Sequence, residues 1–185
     1  MAARMRSRRS IRLSEYDYAQ DGVYFVTICT QGRECLLGKV NEGRVELTEY
    51  GQIVQEEWSR STSIREELSL GEFVIMPNHV HGLLAFEGQR RGVQLNAPTV
   101  RHLTRRHSVI SPRPGTLPVL VRTYKAAVTT QCRRAGFSDF GWQRKYYDHI
   151  VRDEDDLSRV RQYIVDNPLQ WELDEYHPAQ TAANA

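Results

Sequence analysis

The chain has 185 residues, 40% of them apolar and 26% charged, with a formal net charge of +2. These values suit a single ordinary globular domain and exclude wholesale disorder. No apolar run reaches the ~18–20 residues of a membrane span, and the five arginines within residues 1–12 are not followed by the apolar stretch of a signal peptide, so a cytoplasmic protein is expected.

The elements expected in chain order begin with a basic arm over residues 1–15. A strand follows at Tyr24 to Thr30, rich in β-branched and aromatic residues. Leu36 to Val40 and Arg44 to Leu47 read as a hairpin turning at Asn41-Glu42-Gly43. Thr48 or Glu49 opens a helix that carries Ile53, Val54 and Trp58 and fades near Ser61 to Ser63. Phe73 to Met76 is a second strand, Pro77-Asn78 a turn, and His79 to Phe86 a third strand.

From Glu87 to Leu117 the chain is rich in Gly, Pro, Arg and Ser, without a period, and is expected as a basic loop over residues 88–117. Val119 to Arg134 reads as a basic helix with Val121, Tyr124, Val128 and Cys132 on its apolar face and Gly136 beyond its end. Gln143 to Arg152 alternates as a strand, with Tyr147, His149 and Val151 on one face. Asp153 caps a last helix, which carries Leu157, Val160, Tyr163 and Ile164 and is expected to stop at Pro168. A tail over residues 177–185 is expected to be frayed.

Setting the hairpin aside, the order is β-α-β-β-α-β plus one helix, an α+β fold of the ferredoxin-like or RNA-recognition type with an antiparallel sheet. One domain accounts for the whole chain. Two helices cover one sheet face, and the other is left to the last helix, a ligand, or both.

Charge distribution points to a partner. Of the 25 basic residues, 22 are arginine, the side chain whose planar fork grips phosphates. Between Glu87 and Asp139 there is no acidic residue but ten basic ones, among them Arg101, Arg105, Arg106, Arg122, Lys125, Arg133 and Arg134. Such a one-sided stretch suits a polyanion, although a solvated loop balanced by distant acids would have the same composition.

His79 and His81 stand two apart on a strand, so both imidazoles leave one face while Val80 points into the core. That is half of a divalent-metal site, or else a pair of hydrogen-bonded sheet histidines. Three cysteines (Cys29, Cys35, Cys132) without C-x-x-C spacing argue against a cysteine-based zinc site or a disulfide scaffold. Tyr163 and Asn167 share a face of the last helix, with Arg159 on the same stripe. An amide oxygen can complete a His-His-O site for a hard cation, Mg²⁺ or Mn²⁺, with the phenol one turn away.

Four segments in order, Tyr24-Phe25-Val26-Thr27, Val74 to Gly82, Trp142 to Arg152 and Tyr163 to Pro168, resemble the REP-associated tyrosine transposases. These are relatives of the single-strand DNA transposases of the HUH endonuclease class. The resemblance spans roughly Leu13 to Tyr176. It implies His79 and His81 as metal ligands, Tyr163 as nucleophile and Asn167 as third ligand, with His149 a competing candidate. It also implies nicking and rejoining of single-stranded DNA beside a palindromic hairpin, through a 5′-phosphotyrosine.

Such a protein would sit at the bacterial nucleoid as a monomer or homodimer. Backbone phosphates would meet Arg122, Lys125, Arg133 and Arg134, and flanking single strand Arg101, Arg105 and Arg106. Tyr146 and Tyr147 are rival nucleophiles that fit core or stacking roles better. A non-catalytic nucleic-acid-binding module and a hydrolase using metal-bound water are the competing readings.

Overall fold

The computed structural model describes residues 22–65, 68–86 and 115–183. Strand β1 (Gly22–Cys29) alternates strictly. Tyr24, Val26 and Ile28 face one layer; Phe25 and Thr27 face the other. The hairpin of β2 (Gly38–Asn41) and β3 (Arg44–Leu47) turns on Glu42 and Gly43, both at positive φ (49° and 74°). Two central residues of that kind match the right-handed twist of the flanking strands.

Helix α1 (Glu49–Ile64) is capped by Thr48, whose hydroxyl oxygen accepts from the Gly51 amide at 3.3 Å. Strands β4 (Leu68–Met76) and β5 (His79–Phe86) form a tight antiparallel pair, followed by α2 (Leu117–Arg134). At the end of α2, Gly136 takes φ 95°, and the amides of Gly136 and Phe137 bond back to the carbonyls of Arg133 and Cys132. This is a glycine-dependent helix stop. Strand β6 (Tyr147–Ile150), helix α3 (Glu154–Asp166), a 3₁₀ segment (Asn167–Leu173) and α4 (Pro178–Ala183) complete the chain.

The main sheet runs β4-β5-β1-β6, and each neighbouring pair is antiparallel. With the β2–β3 hairpin set aside, this is the ferredoxin-like order expected from the sequence. Helices α1 and α2 bury Val54, Trp58, Leu120, Tyr124 and Val128 against Tyr24, Val26, Ile28, Val80 and Leu84. Trp58 stacks on Phe73 at 4.4 Å, and the Tyr124 hydroxyl donates to the Val54 carbonyl at 3.0 Å. Burying Trp58 contributes on the order of 2–3 kcal/mol. Helix α3 covers the other face, where Val160 and Ile164 meet Phe25 and Leu83.

Several boundaries differ from expectation. β4 starts at Leu68, well before Phe73, because a register shift between Leu70 and Phe73 accommodates Gly71 and Glu72, which break the apolar run. β6 is shorter than its alternating pattern. Before it, Trp142 makes only an isolated bridge with Thr30, and Gln143 donates to the Cys29 carbonyl.

Pro168 does not end the helical path. Asn167 keeps helical angles (φ −55°, ψ −43°) and the chain tightens into the 3₁₀ segment. Proline sits in the first turn of that segment, where its missing N–H costs nothing, and the bias against helical pre-proline residues is overridden. Part of the expected tail is α4. The arm over 1–15 and residues 88–114 of the basic loop, including Arg101, Arg105 and Arg106, lie outside the described residues.

Candidate metal and tyrosine site

β5 pairs with β1 so that Cys29 faces His79 and Thr27 faces His81. The two imidazoles therefore project from the sheet centre on the α3 side. The Pro77-Asn78 turn before them is tied down: Thr30 donates from both its amide and its hydroxyl to the Asn78 carbonyl, and the Leu37 amide donates to the Pro77 carbonyl. His79 and His81 are 0% and 1% exposed, and their Nε2 atoms are 3.0 Å apart. That separation is about the edge of an octahedron with bonds of ~2.1 Å. Burial holds both rings neutral. It pulls His79, with help from His81 and Arg33, well below the usual imidazole value, and His81 down to about 3.

Helix α3 brings Tyr163 to this pair. Asp153 caps the helix by accepting from the Asp156 amide at 2.8 Å. The Asp156 carboxylate then gathers His149 Nε2 (2.8 Å), the Arg152 amide (3.1 Å) and Arg159 (3.2 Å), fixing the start of α3 to β6. Two turns on, the Tyr163 oxygen lies 3.4 Å from His81 Nε2, and its ring meets Phe25 edge-on at 5.9 Å. Burial, then the charges of Asp174 and Glu175, push the phenol above its ordinary value.

Asn167 is 3% exposed, and its Oδ1 is buried without a hydrogen-bond partner. The carbonyl path through the 3₁₀ segment also delivers Asp174, whose Oδ2 is 3.9 Å from His79 Nε2. Burial raises Asp174 from its ordinary carboxylate value. Among the described residues, His79, His81 and Asp174 form a cluster able to hold a metal ion, with ligand atoms all within 4.8 Å. Two neutral imidazoles, a carboxylate and an orphaned amide oxygen are a donor set suited to a divalent cation.

Four residues expected from the sequence lie together at this site, and a fifth was not expected. His79, His81, Tyr163 and Asn167 converge. Asp174 was not anticipated, because it lies past the proline where helical periodicity stops. Tyr176 was also missed. Its ring lies 4.6 Å from that of His79, and the Arg33 guanidinium lies over it at 5.0 Å.

His149, the competing third ligand, is committed to Asp156. Tyr147 packs against Phe25 on the site's side of the sheet, and Tyr146 belongs to the α1–α2 layer. Arg122, Arg133 and Arg134 are exposed on α2, which packs on the opposite sheet face from the histidines. Lys125 spans from α2 to the carbonyls of Gln143 and Lys145, at 2.8 and 3.1 Å.

This fold is the fold of a REP-associated tyrosine transposase solved bound to a REP hairpin. The two share 19% identity with a TM-score of 0.56, covering 88% of this chain and 77% of that one. A candidate transposase of Deinococcus radiodurans matches at 18% identity and TM-score 0.44, over 86% of this chain and 95% of that one. The chain belongs to one family with an uncharacterized protein of Haemophilus influenzae, to which it is 37% identical over 173 residues, 92% of this chain and 93% of that protein. No family model matches the chain. Among the described residues, no helix is long and apolar enough to cross a membrane.

Proposed function

We propose that the chain is a divalent-metal-dependent enzyme that nicks and rejoins single-stranded DNA beside a hairpin, through a 5′-phosphotyrosine link to Tyr163. The observation that carries this reading is the Tyr163 oxygen at 3.4 Å from His81 Nε2, beside a His-His-Asp cluster. His79 and His81 would hold the cation, with an oxygen from Asp174 or Asn167. When bound, Mg²⁺ or Mn²⁺ draws charge from a non-bridging phosphate oxygen and stabilises the transition state.

In the metal-free chain Tyr163 is a protonated phenol, since burial and the nearby acids disfavour the phenolate. In-line attack forms the Oη–P bond as the P–O3′ bond breaks, and the proton lost by the phenol is matched by the one gained at the 3′-hydroxyl. The ester is retained, so the step reverses when a 3′-hydroxyl attacks the phosphotyrosine, and joining needs no nucleotide cofactor. The fold relative bound to a REP hairpin supports hairpin DNA as substrate. Exposed Arg122, Arg133 and Arg134 are the proposed phosphate contacts on α2.

The test uses a hairpin oligonucleotide with a single-stranded flank, labelled at its 3′ end, plus Mn²⁺. A covalent protein–DNA adduct on a denaturing gel is expected, lost in Tyr163→Phe while a mobility shift persists. An adduct that survives in Tyr163→Phe assigns the attack to another tyrosine. Cleavage without an adduct assigns it to metal-held water, and binding without cleavage leaves only a binding module.

A further inference from the structure

The atoms just behind the histidine pair determine where its protons sit. Asn78 is fully buried, and its amide nitrogen donates to the carbonyls of Arg33 at 3.1 Å and Tyr176 at 2.7 Å. A primary amide has two N–H donors, and both are used. The amide orientation is thereby fixed, and its oxygen is the atom 2.8 Å from His79 Nδ1. An amide oxygen only accepts, so His79 Nδ1 carries the ring proton and Nε2 presents a bare lone pair.

His81 is held by a different kind of group. Its Nδ1 lies 2.8 Å from the Thr27 hydroxyl, the residue opposite it across the β1–β5 ladder. A hydroxyl donates or accepts equally well, so it suits either tautomer. Without a cation, His81 Nε2 sits 3.0 Å from the lone pair on His79 Nε2. Two lone pairs at that distance repel. His81 therefore carries its proton on Nε2, donates to His79, and receives the Thr27 hydroxyl on Nδ1. A cation needs both Nε2 lone pairs. The His81 proton must then sit on Nδ1, with the Thr27 hydroxyl turned to accept it. One N–H is lost and one gained through solvent, so the ring stays neutral.

We propose that Asn78 and Thr27 are positioning residues with unequal tasks. Asn78 locks His79 as a permanent Nε2 ligand, and Thr27 lets His81 alternate between donor to His79 and ligand to a cation. The role of Thr27 rests on the cation reading above; the role of Asn78 concerns the metal-free chain and does not.

The test is ¹⁵N–¹H long-range correlation of the ring nitrogens in the full chain, metal-free and then with Mg²⁺, together with Mn²⁺ affinity from the free-ion electron paramagnetic resonance signal. Expected in the metal-free chain are His79 protonated on Nδ1 and His81 on Nε2, with Mg²⁺ moving His81 alone to Nδ1. Thr27→Val, which cannot accept from Nδ1, is expected to weaken Mn²⁺ binding about tenfold or more, and Thr27→Ser to restore it to within about threefold. His79 found protonated on Nε2 overturns the role of Asn78. Unchanged Mn²⁺ affinity in Thr27→Val overturns the role of Thr27. A wild-type chain that binds no Mn²⁺ overturns the cation reading and the role of Thr27 with it, while the metal-free tautomers still decide Asn78.

Discussion

The Tyr163 hydroxyl and His81 Nε2 are 3.4 Å apart although 82 positions separate them in the chain. Two independent devices create that approach. The β1–β5 register puts His81 on the α3 face, and a slip of one residue would turn both histidines into the α1–α2 layer. The Asp153 cap and the Asp156 cluster set where α3 begins, and Tyr163 follows two turns later.

Replacing Tyr163 with Phe removes one hydroxyl and leaves the ring against Phe25. Stability is expected to change by less than about 1 kcal/mol, since a single modest hydrogen bond is lost. Adduct formation should fall below detection. Tyr147→Phe, whose ring packs on Phe25, should keep the adduct. Thermal melts and denaturing gels of both variants check this.

Asp174→Asn keeps the size of the side chain but removes the charge from a buried position. The metal-free chain should melt within about 4 °C of wild type, as expected for a change of around 1 kcal/mol. The rise in Tm with added Mn²⁺ should shrink markedly. At a hundredfold excess over Kd a bound cation contributes ~2.7 kcal/mol to the wild type, so the shift is easily measured. An equal Mn²⁺ shift in both proteins would remove Asp174 from the ligand set.

Two glycines should fail for different reasons. A Cβ on Gly82 would sit 2.5 Å from Cζ2 and 2.6 Å from Cη2 of Trp58, deep in the core. Gly82→Ala should cost about 1–3 kcal/mol through overpacking. A Cβ on Gly136 would meet nothing within 4 Å, but its φ of 95° is strained for alanine. Gly136→Ala should cost about 1 kcal/mol from backbone strain alone. Urea unfolding separates the two, and a milder second substitution Trp58→Phe should rescue only the first.

Thiol reactivity should depend on position and pH. Burial pushes Cys29 up to about 12 and Cys132 up to about 11. A thiol reacts as thiolate, so a raised value suppresses reaction, and at pH 8 only about one Cys29 in ten thousand would be ionised. Cys35 is exposed, although nearby atoms still raise its thiol. Iodoacetamide at pH 8 is expected to modify Cys35 alone in the folded chain, faster as pH rises, and all three cysteines after denaturation. Peptide mapping by mass spectrometry reads this directly.

Much of the fold was legible because alternation and helical spacing are local signals. Val80 between two histidines announced their common face, and Asp153 before three acids announced α3. The site was legible as far as its residues sit on regular elements. Asp174 was not, because its place depends on Asn167 staying helical before Pro168, which a pairwise preference in the chain predicts wrongly. The tie between Asn78 and the Tyr176 carbonyl joins positions 98 apart, and no period spans such a gap.

The layering of the molecule limits the mechanical character of any nucleic acid that touches both the α2 arginines and the histidine face. Such a polymer must pass around the rim of a sheet flanked by helices, a turn of a few nanometres. Duplex DNA has a persistence length of about 50 nm and resists so sharp a bend, whereas a paired stem joined to a floppy unpaired tail bends at the junction at little elastic cost. On the proposed reading, the spacing of the two faces would discriminate by flexibility before any base is read.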